Sequence, residues 1–320
     1  MAILWGGGED IDFPNFTVGV NTTGNYRSFA RCGIYASAGA RSKPFSATVI
    51  TSAWLRFCRA GWGGGNSSIK DCGLCKTGAL AGWWIGTSTT ANKIGLWKRE
   101  GTTWTLVASE PGISLGDATY HMIDMQIIDY GASGTINVFL DGSVNPLFSY
   151  SGNISISGVD GFDCVGLIGS SSYGFISEII AADEDTRLMT LKTLVPNASG
   201  DTNEWVNDYT TIDEITNSTS DTVYTTAVDK SFQCNLTGIP TGDFICKGIR
   251  IAVKCTDGVG GVGVQLGVKS NSAVALGETI TLAGTWDTIE SMLNENPTTM
   301  NRFTPTEIED LQLTIKSVAL

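Results

Sequence analysis

The chain has 320 residues, too long for one ordinary domain and a natural length for two. Its 42% hydrophobic content excludes wholesale disorder, and 39 glycines beside only 16% charged residues favour short strands and tight turns over helices. The net charge is −12, with 22 of the 32 acidic residues after position 150, so nucleic acid is not an expected partner: phosphate binding depends on Lys and Arg.

Residues 1–15 read as an arm. Gly6, Gly7 and Gly8 lose too much backbone freedom to sit inside a regular element. Ile3, Leu4, Trp5 and Phe13 are apolar enough to want a partner surface, and we expect them to dock on a neighbouring subunit. The segment has neither the basic n-region nor the apolar core of a secretory signal, and nowhere does an apolar run reach the ~18 residues that span a bilayer. No membrane is expected as partner.

From residue 16 to about 185 the pattern is β. Ile50 to Arg59 alternates, with Ala53, Leu55 and Phe57 on one face and Trp54, Arg56 and Cys58 on the other. Ala79 to Gly86 and Asn92 to Lys98 are further strands, the latter turning at Glu100-Gly101 into Thr103 to Ala108. Tyr120 to Asp129 and Thr135 to Asp141 form a second hairpin around Gly131–Gly134, with Ile123, Met125 and Ile127 facing Ile136, Val138 and Leu140. Val165 to Gly169 and Phe175 to Ala182 would close a sandwich. The acidic run Asp183-Glu184-Asp185 then returns the chain to solvent, and a turn at Pro196 and Gly200 precedes Trp205.

Residues 186–320 form a smaller β-domain. Thr222 to Val228, Ile249 to Cys255, Val264 to Lys269 and Ala273 to Leu282 are its expected strands, with Gly258–Gly263 as a turn. Thr304-Pro305-Thr306-Glu307 has the form of a capping box with proline at the first helical position, so one short helix is expected before Leu311, Leu313 and Ile315 resume a strand period.

Catalytic machinery is not apparent. The one histidine, His121, lies mid-strand without a serine elbow, and no paired-carboxylate signature of a glycosidase occurs. Cys72-Gly73-Leu74-Cys75 is a C-x-x-C without the second ligand pair that zinc needs, so no metal or cofactor is expected. The eight cysteines, Cys32, Cys58, Cys72, Cys75, Cys164, Cys234, Cys246 and Cys255, are candidates for disulfides if the protein meets an oxidising medium, or else buried thiols; Cys72 and Cys75 could close a small loop. Trp62, Trp83 and Trp84 are candidates for contact with glycan or a subunit, since one of two adjacent rings on a strand must face away from the core.

Two stretches carry a resemblance. Residues 177–205, S-E-x-I-x-A-D-x-D-T-R … L-x-P-N-x-x-G-D-x-x-x-W, and residues 295–316, E-N-P-x-T … R-F-T-P-x-E-I-E-D-L-Q-L-T-I-K, resemble structural proteins of tailed bacteriophages. In that family a concanavalin A-like (laminin G-like) jelly roll precedes a smaller C-terminal module, and Tyr120 to Gly142 is similar to such a jelly roll. Phe303 stands where the family often has Trp. The resemblance implies an all-β fold, a jelly-roll sandwich over 16–185 and a smaller β-sandwich with one short helix over 186–320. It also implies a non-enzymatic virion protein on a capsid or tail surface, made in a bacterial cytoplasm and held by other virion proteins and copies of itself. The alternative from the same fold is a lectin-like module for host surface glycan.

Overall fold

The computed structural model describes the chain except residues 1, 15, 17, 22–32, 37, 46–48, 62–66, 79, 115–118, 170–173, 214–219, 238–239, 259, 271 and 297. It resolves into two units, Met1–Leu191 and Lys192–Leu320, dividing at 191/192 where the sequence reading placed 185/186.

The first unit is a sandwich of two antiparallel sheets, the jelly-roll arrangement that the resemblance implies. Among the described residues the larger sheet runs Phe148–Gly152, Gly134–Leu140, Tyr120–Ile128, Ala53–Gly61, Gly174–Ala182, Gly33–Tyr35, Gly19–Asn21, with Ile3–Gly7 added on Gly174–Ala182. The smaller runs Ala40–Arg41, Cys164–Leu167, Lys70–Cys75, Gly82–Thr87, Lys93–Glu100, Thr103–Ser114. Register follows the side-chain period. Ile123 pairs with Leu140 and Ile127 with Ile136, while Leu55 and Phe57 lie opposite Met125 and Ile123. All but the half-buried Leu140 are buried between the sheets, with Trp83, Ile85 and Leu96 from the facing layer.

Gly174–Ala182 is buried along its whole length because it has neighbours on both sides. Ala53–Gly61 covers one edge; the other is shared, Ile176 facing Ile34 and residues 179–182 facing Ile3–Gly7. The switch falls at a bulge where Glu178 takes φ 50°.

This overturns the arm. Ile3–Gly7 is a strand of the sheet, Trp5 and Phe13 are 2% and 1% exposed and meet edge-to-face at 5.7 Å, and Ile3 is buried with them. Leu4 is half-buried against the same core. Gly7 is there for fit: a Cβ on it would lie 2.5 Å from the Trp5 ring.

A second aromatic layer lies on the far side of the smaller sheet, where Trp84, Trp97, Leu80, Cys75 and Cys164 are buried together beside Trp104. Trp84 is flattened onto the strands by the absence of side chains beneath it: a Cβ on Gly166 would come within 2.2 Å of its ring and one on Gly73 within 2.6 Å. Gly166→Ala is therefore expected to cost about 1–3 kcal/mol by overpacking, read as a lower Tm with red-shifted tryptophan emission. An unchanged Tm would show that the layer yields freely.

The second unit is a smaller sandwich. Its larger sheet runs Val195–Asn203, Ser231–Thr237, Gln312–Ala319, Val262–Ser270, Ala273–Thr281, and Ile249–Cys255 pairs with Asp287–Leu293. Phe232, Cys234, Leu266 and Ile315 from the first sheet meet Ile251 and Ile289 from the second, with Phe303 and Ile308. The capping box forms as the sequence predicts: Thr304 N donates to Glu307 Oε2 at 2.8 Å, Glu307 N donates to Thr304 Oγ1 at 3.3 Å, and the helix is Pro305–Glu309. In the glycine turn the Asp257 carboxylate accepts from Gly260 N and Val262 N.

Two expectations fail here. The Pro196/Gly200 turn is instead the bulged edge strand Val195–Asn203, a position where proline's missing N–H costs no ladder bond. Thr222 to Val228 is not a strand. Thr225 Oγ1 accepts from Ala227 N at 3.2 Å and diverts the backbone, leaving one bridge between Val206 and Tyr224.

Candidate binding cleft on the larger sheet

The outer face of the larger sheet begins from a cross-strand pair. The register sets Asp124 opposite Arg56, and Arg56 Nη1 donates to Asp124 Oδ2 at 2.7 Å. Thr186 Oγ1 donates to Asp124 Oδ1 at 2.7 Å, and Arg56 Nη1 also donates to Arg187 O at 2.8 Å. The pair thus pins the stretch after Asp183 onto the sheet. Burial pushes the Asp124 carboxyl above its ordinary range, against the opposing pull of Arg56 and Thr186.

Arg187 finishes the clamp. Its Nε and Nη2 donate to Asp185, which holds that carboxyl below the ordinary range. Nη1 donates to Ser143 O and Val144 O, and the guanidinium lies 4.7 Å from the Phe139 ring centroid and 5.4 Å from that of Trp54. Trp54 and Phe139 are themselves stacked at 5.4 Å.

Between this clamp and the start of Tyr120–Ile128 opens a cleft of about 430 Å³, lined by Arg56, Tyr120, Met122, Asp141, Leu188 and Met189 among others. Leu188 is 91% exposed and Tyr120 42%, so the rim is apolar and reachable. Arg56 is 5% exposed, and its Nε makes no hydrogen bond to any described residue.

His121 borders the cleft. Its Nδ1 lies 2.9 Å from Asp141 Oδ2 and its Nε2 3.0 Å from Thr119 Oγ1. A carboxylate only accepts, so Nδ1 carries a proton and Nε2 of the neutral ring accepts from the threonine. Hydroxyl, imidazole and acid stand in the order of a hydrolase relay. Asp141, however, also accepts from Met122 N at 2.9 Å and closes the hairpin at a φ of 52°, so the line ties strand ends together.

Neither Trp83 nor Trp84, singled out in the sequence for glycan or subunit contact, lies here. Trp83 belongs to the main core, its Nε1 donating to Ile154 O, and Trp84 sits under the second aromatic layer; both are 0% exposed. Trp84 does face away from the core as alternation requires, but Trp97, Trp104 and Leu80 enclose it. Trp62 lies outside the described residues. Arg56 and Asp124 were visible as strand residues, yet nothing local marked them as partners 68 positions apart.

The cysteines are distributed over separate layers. Cys72 faces the main core and Cys75 the outer aromatic layer, because residues three apart on a strand point opposite ways; a Cys72–Cys75 loop is ruled out in this fold. Cys75 instead meets Cys164, Sγ to Sγ 3.2 Å. Cys58 is buried in the larger sheet and Cys234 in the second unit, where burial pushes its thiol up to about 12. Cys246 and Cys255 are half-buried, and Cys32 lies outside the described residues. Among the described residues no three His, Cys, Asp or Glu side chains converge as metal ligands, and no helix is long and apolar enough to cross a membrane.

The first unit is thus a jelly-roll β-sandwich with an open cleft on one sheet. No protein-family model matches the chain, and no curated protein does. Chains of known structure do, 99 of them, and they include carbohydrate-binding modules as well as hydrolase and esterase domains. The carbohydrate-binding module CBM66 from Bacillus subtilis is 9% identical with a TM-score of 0.36, covering 52% of this chain and 97% of its own. The Ruminococcus gnavus IT-sialidase CBM40, bound to alpha2,3 sialyllactose, is 15% identical with a TM-score of 0.33 over 48% and 88%. A carbohydrate esterase from the Shiga toxin-encoding bacteriophage phi24B is 9% identical with a TM-score of 0.37 over 57% and 99%. These are likenesses of fold alone.

Proposed function

We propose that the first unit binds saccharide non-catalytically in the cleft beside Arg56. The observation that carries this is the cleft itself, which sets Asp141 and an Arg56 whose charge Asp124 already balances beside the exposed Tyr120 and Leu188. A guanidinium already paired needs no further counterion, so a neutral hydroxyl fits the cleft without burying a second charge. Asp141 opposite can accept from a neighbouring hydroxyl, while Tyr120 and Leu188 offer apolar surface to the C–H face of a sugar ring. The volume suits one or two sugar units.

The test is an array of neutral oligosaccharides probed with the full chain, followed by calorimetry on any hit. Tyr120→Ala should weaken binding by about 10-fold or more, the loss of one aromatic contact of ~1.5 kcal/mol. Absence of binding at millimolar saccharide, or binding that Tyr120→Ala leaves unchanged, would remove the cleft from consideration.

A second reading, compatible with the first, rests on the resemblance over residues 177–205 and 295–316. In it the chain is a structural protein on the surface of a phage virion, held there by other virion proteins and by copies of itself. A mass spectrum of purified particles decides it by the presence of the intact chain.

A further inference from the structure

We propose that Cys75 and Cys164 form a cross-strand disulfide when the protein meets an oxidising medium. The two residues stand directly opposite each other on the antiparallel strands Lys70–Cys75 and Cys164–Leu167. Directly opposed residues on such strands have Cα atoms about 4.5–5.5 Å apart, inside the span that a disulfide bridges without backbone movement. Their Sγ atoms are already 3.2 Å apart, and Cys164 Sγ donates to Cys75 O at 3.3 Å, so both thiols turn toward one another.

The other described cysteines of the unit cannot compete for either sulfur. Cys72 lies on the opposite face of its strand, in the main core, and Cys58 belongs to the other sheet. The pair is enclosed by Trp84, Leu80 and Trp97 and is 0% exposed. Burial also pushes the Cys75 thiol up, so thiolate is scarce in the folded state. Bond formation therefore belongs to folding, or to local opening of the aromatic layer.

With a low-molecular-weight disulfide such as oxidised glutathione as oxidant, the steps balance. The Cys75 thiolate attacks one glutathione sulfur and expels a glutathione thiolate, which takes up the proton that Cys75 released. The Cys164 thiolate then attacks Cys75 Sγ of the mixed disulfide and expels the second glutathione. Two protein thiols are oxidised by two electrons and one glutathione disulfide is reduced to two thiols. The bond would close a loop over the 89 positions between the two residues, which takes much freedom from the unfolded chain.

The experiment refolds the full chain in mixed oxidised and reduced glutathione, blocks remaining thiols, and maps peptides by mass spectrometry. A Cys75–Cys164 peptide pair lighter by about 2 Da than its two reduced peptides is the expected product. It should be accompanied by a Tm on the order of 5–10 °C above that of the reduced chain. Cys72→Ser should keep the linked peptide, and Cys75→Ser and Cys164→Ser should each lose both the linkage and the Tm gain. Recovery of both cysteines blocked in the refolded wild type, or of either one joined to Cys32, Cys58 or Cys72, overturns the pairing. The wild-type map alone decides this, should a variant fail to fold.

Discussion

Trp5→Ala is expected to cost the first unit about 3–5 kcal/mol, a large fraction of the ~5–15 kcal/mol that holds a typical domain together. The ring is 2% exposed, packs edge-to-face on Phe13, and stands on a strand opposite Ala181. Gly7 beside it carries no side chain to fill the space it would vacate. Urea unfolding followed by circular dichroism should show a lower midpoint at unchanged slope. A change below ~1 kcal/mol, together with loss of self-association, would restore the docking role that the terminal sequence implied.

The second large effect is expected at the floor of the cleft. Asp124→Ala removes the acceptor of both Arg56 and Thr186 and leaves a 5% exposed guanidinium without its counter-charge. Breaking one side of a buried pair costs about 3–5 kcal/mol, whereas replacing both partners with apolar residues of similar volume is often near neutral. Arg56→Met with Asp124→Leu should therefore recover most of the stability that Asp124→Ala loses, while abolishing saccharide binding. A double variant as unstable as the single one would place the cost in packing rather than charge. The pair should not drive acid unfolding. Its carboxyl is raised on folding, so the penalty for keeping it ionised is present above the folded value and is relieved as pH falls through it.

How much of this was legible follows the period of the side chains. Ala53, Leu55 and Phe57 were assigned inward by alternation alone, and the pairing of Ile123 with Leu140 follows from hydrophobic faces and a glycine turn. The capping box at Thr304 was readable because its physics is local. Whatever depended on distant partners was not. Trp5 looks like a peg because three glycines follow it, yet Gly7 makes room for its ring, and the strand that receives it, Gly174–Ala182, lies some 170 residues on. Trp84 looked available because it faces outward, but a second layer requires knowing that Gly166 and Gly73 lie under it. The cleft could not be read at all, being assembled from three stretches around positions 56, 120–142 and 187–190.

The pairing of Ile3–Gly7 with residues 179–182 has a consequence for biogenesis. On the ribosome these few residues emerge well before the edge they complete, which is synthesised some 170 residues later, a delay of about 10–30 s at ordinary elongation rates. Through that interval a tryptophan-bearing segment must wait unshielded while shorter-range hairpins such as Tyr120–Ile128 with Gly134–Leu140 are free to close. A segment made early is thus late to find its place, and nascent chains stalled short of Gly174 should be the ones that chaperones capture.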